Sequence, residues 1–202
     1  MESLAVLLIF IIPIILFLLF IGKIDKQNYR RPFRRYYKRK YPRKDITSQR
    51  LENMDTGNIS IKKIMNIEES KIFFSMLKVF KDYNIYKQVS YKAFLDAEED
   101  TDIWKSYRDF YSDFLITYKR GDNTNKPIAI IEYDGAGHYG HTEEMKERIK
   151  NNDMIKELLI NKAGMQYFII KENDIKIDSK FIDDKKLESC LSDIMNSIKN
   201  DN

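Results

Sequence analysis

The sequence predicts a mixed α/β domain, with helices packed on a central sheet, preceded by one N-terminal transmembrane helix. Three observations lead to this prediction: an apolar run at the N-terminus, alternating strand patterns in the middle of the chain, and amphipathic helical patterns around them. A chain of 202 residues suffices for one domain of ordinary size with appendages. We divide it into an anchor at 1–22, a basic strip and polar linker at 23–65, and a folded domain at 66–202.

The anchor is predicted from the unbroken apolar run between Leu4 and Ile21. A helix of 18 residues spans roughly 27 Å, close to the thickness of the hydrocarbon core of a bilayer. Pro13 is tolerated in a membrane span. A cleaved signal peptide would have positive charge before a shorter apolar run and a small-residue cleavage site, whereas here Glu2 comes first and no such site follows. We therefore favour an uncleaved anchor.

The charge of the chain is divided unevenly. Residues 23–44 hold eleven of the 35 Lys and Arg residues, whereas 45–202 hold 24 basic and 29 acidic residues, a net charge of −5. The positive-inside rule makes this a single-pass protein of the cell membrane, with a short N-terminus outside and the C-terminal domain in the cytoplasm. We favour contact of the strip with anionic lipid headgroups; the alternative is nucleic acid, with Arg on phosphates and the interleaved Tyr residues on bases.

The folded domain is predicted to begin with a helix near Asn66, where Glu69 completes a capping box. The inward stripe of this helix is Phe73, Met76, Phe80 and Tyr83. The later elements are predicted in this order: a strand at 85–91, a loop with a short helix at 93–108, a strand at 110–119, a turn at 120–127 and a strand at 128–134. A glycine-rich loop at 135–140 follows, and then a long helix to Ala163, which Thr142 can cap and which Gly164 follows directly. A strand at 165–170 and a helix at 183–199 complete the domain. The single cysteine, Cys190, excludes an intrachain disulfide.

Three carboxylates are predicted to converge at one end of the hairpin. With residues 120–127 as the turn, Asp113 lies opposite Asp134 and Leu115 lies opposite Glu132. Since direct partners and residues two apart share a face, the three carboxylates lie on one side of the sheet. Their mutual repulsion would be relieved by a divalent cation, and oxygen ligands suit Mg²⁺. The alternative is that Asp134 belongs to ordinary turn chemistry and Asp113 lies on a solvated edge.

Two further residues join this predicted site. Lys156 falls at the centre of the apolar stripe of the helix from 142 to 163, and a lysine facing the sheet needs an anionic partner. That partner is the carboxylate cluster or a substrate phosphate, and a plain salt bridge with an aspartate is the alternative. His138 follows in the glycine-rich loop, where it could act as a general base, position the attacking water or contact the leaving oxygen. An exposed loop histidine is the alternative there.

These residues carry a resemblance to a known family. The runs SDF at 112–114, IIEYDGAGHY at 130–139, DMIK at 153–156 and AGMQYFII at 163–170 resemble the PD-(D/E)XK nuclease superfamily. They are most similar to its branch related to very-short-patch-repair endonucleases, and to uncharacterised bacterial domains with an E-x-D-G-x-x-H pattern. The likeness covers roughly residues 66–172. It implies a restriction-endonuclease-like fold, a mixed sheet flanked by helices.

The resemblance also implies roles for single residues. Asp113 and Glu132 are expected to bind Mg²⁺, with Mn²⁺ as an alternative cation. Glu69 on the leading helix would assist the metal or its water, and Gln88 would line the same site. The implied reaction is phosphodiester hydrolysis, in which the cation activates water and stabilises developing charge.

One departure from the family pattern concerns the motif's lysine. Asp134 stands at that position, and Lys156 or His138 is expected to take over its role at the phosphate. The function predicted is therefore a membrane-anchored, Mg²⁺-dependent nuclease-like protein that hydrolyses nucleic acid, DNA rather than RNA. The alternative is a catalytically inactive nuclease fold that serves as a membrane-tethered binding or scaffold module. The missing strand lysine favours the alternative, and the joint presence of Asp113, Glu132 and His138 favours the enzyme.

Overall fold

The structure, a computed structural model, describes residues 45–135, 142–178 and 180–200. The predicted anchor at 4–21 and the basic strip at 23–44 lie outside these ranges. Within them, no helix combines the length and the apolar character that a membrane span needs. The chain divides into two units between Thr56 and Gly57. The described part of the first unit is helix α1 (Thr47–Thr56), whose residues are all exposed, so part of the predicted linker is helical.

The second unit is built on a four-stranded mixed sheet, as the sequence predicts. Its strands are β1 (Tyr83–Ser90), β2 (Tyr111–Tyr118), β3 (Pro127–Asp134) and β4 (Gln166–Lys171). They lie in the order β1-β2-β3-β4, with β1, β2 and β3 antiparallel and β4 parallel to β3. The parallel pair requires a crossover connection, and the longest helix of the unit provides it.

The helices lie before, between and after these strands, and the three longest of them occur in the predicted order. They are α2 (Ile67–Val79), α3 (Asp102–Tyr107), α4 (Glu143–Lys162), α5 (Glu172–Ile175) and α6 (Asp184–Asn200), with a 3₁₀ turn at Tyr91–Ala93. A small pair of two-residue strands, β5 (Lys176–Ile177) and β6 (Phe181–Ile182), was not predicted from the sequence. The unit is therefore α/β, with a mixed sheet flanked by helices.

Two apolar clusters cover the two faces of the sheet. On one face α2 and α6 pack against the residues of β2 and β3 that include Phe114, Ile116 and Ile131. On the other face, residues of α3, α4 and the 3₁₀ turn pack against Leu115 and Ile130. Because side chains alternate along a strand, the even-numbered residues of β3 from Ile130 onward and the odd-numbered residues of β2 face α4. This alternation decides on which side the predicted carboxylates lie.

The helix ends follow the predicted signals. Asn66 and Glu69 form the capping box of α2 in both directions, at 2.8 and 3.0 Å. Thr142 caps α4, and Gly164 follows that helix with a φ of +73°, a conformation that glycine adopts without the cost a side chain would bring. One prediction is wrong: α2 ends at Val79, so Tyr83 does not continue its stripe but opens β1.

The predicted register of the β2–β3 hairpin is also wrong, by two residues. Leu115 pairs with Ile130 rather than with Glu132, and continuing this register past the pair of Phe114 and Ile131 puts Asp113 opposite Glu132 rather than Asp134. The cause lies at the turn. Tyr118 already closes the loop with backbone bonds to residues 125 and 126, and a bulge follows in β3. A shift of two residues leaves every side chain on its predicted face.

Candidate active site

Asp113 is held between two strands by donors on both of its oxygens. Gln88 of β1 donates from Nε2 to Asp113 Oδ1 at 3.1 Å, and the backbone N–H of Tyr133 donates to Oδ2 at 2.9 Å. Gln88 has a φ of +52°, in the left-handed region that residues with side chains rarely occupy. The β1–β2 pairing continues on either side of Gln88 but not at it. The strand therefore deforms where it supplies a side chain to this carboxylate.

Glu132 and Lys156 form a buried ion pair on the same face of the sheet. Lys156 Nζ lies 3.0 Å from Glu132 Oε2, and the two side chains are only 13% and 6% exposed. The other carboxylate oxygen, Glu132 Oε1, is buried and has no hydrogen-bond partner among the described residues. A buried carboxylate oxygen without a donor is costly. Among the carboxylate oxygens of Asp113 and Glu132, this atom is the one for which the described residues supply no donor.

Burial dominates the electrostatics of Glu132. Burial is the largest cause, and together with the nearby carboxylates of Asp113 and Asp153 it raises the pKa of the Glu132 carboxyl to about 7, although Lys156 acts in the opposite direction. The desolvation of the carboxylate thus outweighs the attraction of its ammonium partner, as is common for buried ion pairs. A carboxyl group with such a pKa changes its protonation state near neutral pH.

Two tyrosines that the sequence reasoning missed face the same carboxylate. The hydroxyl groups of Tyr91 and Tyr167 are buried, and neither finds a hydrogen-bond partner within the described ranges. Burial and the charge of Glu132 raise the pKa of both phenols, so both remain protonated donors. Tyr167 pairs with Ile130 in the sheet and so shares the face of Glu132. Both residues carry strand or core patterns in the sequence, which gave no reason to choose them.

Asp153 is the third residue missed. It lies three positions before Lys156 on α4, a spacing that puts both on neighbouring parts of one helix face. Its charge acts on Glu132, Tyr91 and Tyr167. The helical spacing within the run DMIK was a signal that could have drawn attention to it.

Glu69 is the predicted site residue that the structure places elsewhere. Its carboxylate bonds the backbone N–H of Asn66 in the capping box, and α2 packs on the face of the sheet opposite to Asp113 and Glu132. The neighbouring Glu68 reaches the end of β3 instead, through the hydroxyl of Tyr133 at 2.7 Å. The reason is the alternation of β3, which turns Tyr133 towards α2 and the residues beside it away from α2.

The Glu68 contact belongs to a buried network beneath the end of β3. Lys176 Nζ lies 2.7 Å from Glu68 Oε1 and 2.9 Å from Glu172 Oε2, and its side chain is 5% exposed. The two carboxylates hold the pKa of Lys176 above its usual range. A Cβ on Gly135 would lie 2.8 Å from the ring of Tyr133, so a larger residue there would force the ring or the backbone to shift. The network thus fixes the backbone that follows Glu132.

Two predicted site residues remain, Asp134 and His138. Asp134 ends β3, half-buried and opposite Lys171 in the β3–β4 register. His138 lies outside the described residues. Among the predicted site residues, the structure brings together Gln88, Asp113, Glu132 and Lys156.

The donor set of this cluster fits a hard divalent cation. Asp113 and Glu132 come from adjacent strands and face the same side, and Glu132 Oε1 lacks a protein partner among the described residues. Mg²⁺ keeps several waters and is commonly held by one or two carboxylates, so a pair suffices. In the described parts of the chain, no group of three or more His, Cys, Asp or Glu side chains is arranged to hold a metal ion.

Comparison with known proteins gives a family for this chain. The model of the family described as "Protein of unknown function (DUF2726)" matches residues 61–187, well over half of the chain. The chain belongs to the DUF2726 family. A protein of Haemophilus influenzae described as uncharacterised is 26% identical over 125 residues, which make up 60% of each chain. The chain thus spans less than two thirds of the length of this relative. No solved structure matches the chain.

The DUF2726 segment contains the whole described cluster. It begins before α2, includes all four strands of the sheet and the crossover helix α4, and ends within α6. Gln88, Asp113, Glu132 and Lys156 therefore all belong to the part of the chain that matches DUF2726. The predicted anchor and the basic strip precede that part.

Proposed function

We propose that this DUF2726 protein is a membrane-anchored, Mg²⁺-dependent nuclease that hydrolyses phosphodiester bonds in nucleic acid, DNA rather than RNA. The observation that carries the proposal is the buried oxygen cluster of Asp113 and Glu132. It lies beside Lys156, and Glu132 Oε1 has no partner within the described residues. Carboxylates from adjacent strands with a cationic side chain next to them suit a metal-assisted attack on a phosphate.

Each residue of the cluster has a role in this proposal. Asp113 and Glu132 hold the cation, which when bound supplies an activated water and stabilises charge on the phosphate. Gln88 fixes the orientation of Asp113 through its bond to Oδ1. Lys156 places an ammonium within reach of the site, in the role that the superfamily's strand lysine would have. The phenol hydroxyl groups of Tyr91 and Tyr167 donate hydrogen bonds to a water or to a phosphate oxygen bound next to Glu132.

The remainder of the proposal rests on the sequence. The apolar run at 4–21 anchors the chain in the cell membrane, and the basic strip at 23–44 lies against anionic headgroups on the cytoplasmic side. The net charge of the acidic domain does not by itself attract a polyanion. The positive charge that could do so is in the basic strip at 23–44.

The test is cleavage of single- and double-stranded DNA and RNA by the full-length chain, purified in detergent, with Mg²⁺, Mn²⁺ or EDTA. We expect metal-dependent cleavage that Asp113→Ala and Glu132→Ala both abolish. Asp109→Ala, an exposed carboxylate two residues before β2, is the matched control and should retain activity. Cleavage that survives in EDTA, or in both site variants, would contradict the proposal. The same gels report whether DNA is preferred to RNA.

A second candidate function is a catalytically inactive nuclease fold that binds or scaffolds a partner at the membrane. The observation that favours it is that both carboxylates already have protein partners. Asp113 accepts hydrogen bonds from two donors, and Glu132 binds an ammonium. Such a site is partly neutralised without a metal. Absence of cleavage under every condition, together with binding of nucleic acid by the full-length chain, would favour this function over the enzyme.

A further inference from the structure

Lys156 is the cationic partner that Glu132 has in this structure. Its ammonium is bound to one oxygen of the carboxylate at 3.0 Å, and both side chains are almost completely shielded from water. The second oxygen is left without a protein partner in the described stretches. Lys156 has the long, rotatable stem that allows an ammonium to change position at small cost. The pair is therefore charge-balanced, while its hydrogen bonding is incomplete.

A divalent cation on Glu132 and the ammonium of Lys156 would repel each other. Between charges a few ångströms apart, the interaction is several times stronger near buried groups than in water. The two cations therefore compete for the negative charge of Glu132. The inference, which rests on the proposed function, is that Lys156 is the internal counter-ion of the metal-free site. We propose that a divalent cation displaces its ammonium from Glu132, and that the freed ammonium then binds a phosphate group of the substrate.

This arrangement makes metal and phosphate binding reinforce each other. The cation releases the ammonium that binds the phosphate, and the phosphate in turn keeps the ammonium away from Glu132. Coupling of this kind is reciprocal, because each ligand must change the affinity of the other by the same factor. A permanent ion pair between Lys156 and Glu132 predicts no such coupling.

The test measures Mn²⁺ binding, not activity. Titration calorimetry of the full-length chain is run with and without thymidine 3′,5′-bisphosphate, which carries phosphates but no phosphodiester bond. Lys156→Gln keeps a donor for Glu132 and removes the charge, so without nucleotide we expect it to bind Mn²⁺ about tenfold more tightly than the wild type. The nucleotide should tighten Mn²⁺ binding by the wild type by about tenfold, and by Lys156→Gln by less than about twofold.

Three controls decide between the outcomes. Lys150→Gln, an exposed lysine of the same helix, should behave like the wild type, and Lys156→Met replaces the glutamine variant if that one does not fold. Equal or weaker Mn²⁺ binding by the folded Lys156 variants than by the wild type would overturn the inference and leave the metal site intact. If no folded protein, wild type or variant, bound Mn²⁺, the proposed function would fail and the inference with it. Loss of binding in Glu132→Gln locates the cation.

Discussion

Replacing Glu132 with glutamine should make the domain more stable than the wild type at high pH, and the difference should shrink as the pH falls. Inspection of the ion pair alone suggests the reverse, because the variant loses the partner of Lys156. Burial nevertheless outweighs that attraction and raises the pKa of the Glu132 carboxyl to about 7. The folded protein thus favours the uncharged carboxyl, which glutamine resembles in shape and in lack of charge.

The size of the effect follows from the two pKa values. The carboxyl of Glu132 titrates near 4.5 in the unfolded chain and near 7 in the folded one. Between these values the folded state binds more protons, so the free energy of unfolding falls as pH rises, and the loss is complete above pH 7. At 1.36 kcal/mol per pKa unit, the advantage of the variant should grow by about 2 to 3 kcal/mol between pH 5 and 8, as an upper bound.

The assay is urea unfolding of the full-length chain in EDTA at a series of pH values, followed by the fluorescence of Trp104. This is the single tryptophan of the chain, and it packs against the apolar cluster on the α4 face of the sheet. Glu157→Gln, an exposed position on the same helix, is the control and should show a difference from wild type that does not change with pH. If the wild type instead gained stability over Glu132→Gln as the pH rose, the ion pair would dominate and our reasoning would be refuted.

Three further predictions concern the surroundings of Glu132. Tyr133→Phe removes a 2.7 Å hydrogen bond to the Glu68 carboxylate and should lower the free energy of unfolding by about 1 to 3 kcal/mol. Tyr86→Phe, at an exposed hydroxyl, should lower it far less, and equal losses of the two variants in urea unfolding would contradict this prediction. Tyr91→Phe removes a buried hydroxyl that has no partner within the described residues, so in EDTA its midpoint of urea unfolding should equal or exceed that of the wild type. A lower midpoint would show that a ligand or a water stabilises the hydroxyl. Gly135→Ala places a Cβ 2.8 Å from the ring of Tyr133 and should cost about 1 to 3 kcal/mol, measured in the same way; an unchanged stability would mean that the ring moves freely.

Much of the fold could be predicted because its signals are local. The capping box at Asn66, the cap at Thr142 and the glycine after α4 each act within a few residues, and each is found where it was predicted. The alternation of β2 and β3 likewise identified the face on which Asp113 and Glu132 lie. Side-chain alternation is a property of the strand itself and needs no knowledge of its partner.

The pairing register of the strands and the contacts of single side chains could not be predicted in the same way. Bonds of Tyr118 to the loop and a bulge in β3 moved the hairpin pairing by two residues, and neither has a clear signal in the sequence. Glu69 was expected at the site because it heads the helical stripe. Its carboxylate is used by the cap, and the helix packs on the far side of the sheet.

The sequence by itself determined the order of the elements, the mixed sheet with its flanking helices, and the residue types of a site on one face of that sheet. Those properties depend on periodicity, capping and alternation, which act over short distances along the chain. Only the tertiary structure decided that Lys156 takes Glu132 as its partner, that Gln88 holds Asp113, and that two phenols face the same carboxylate. These contacts join residues of different elements, so they depend on how the strands pair and on how α4 packs on the sheet.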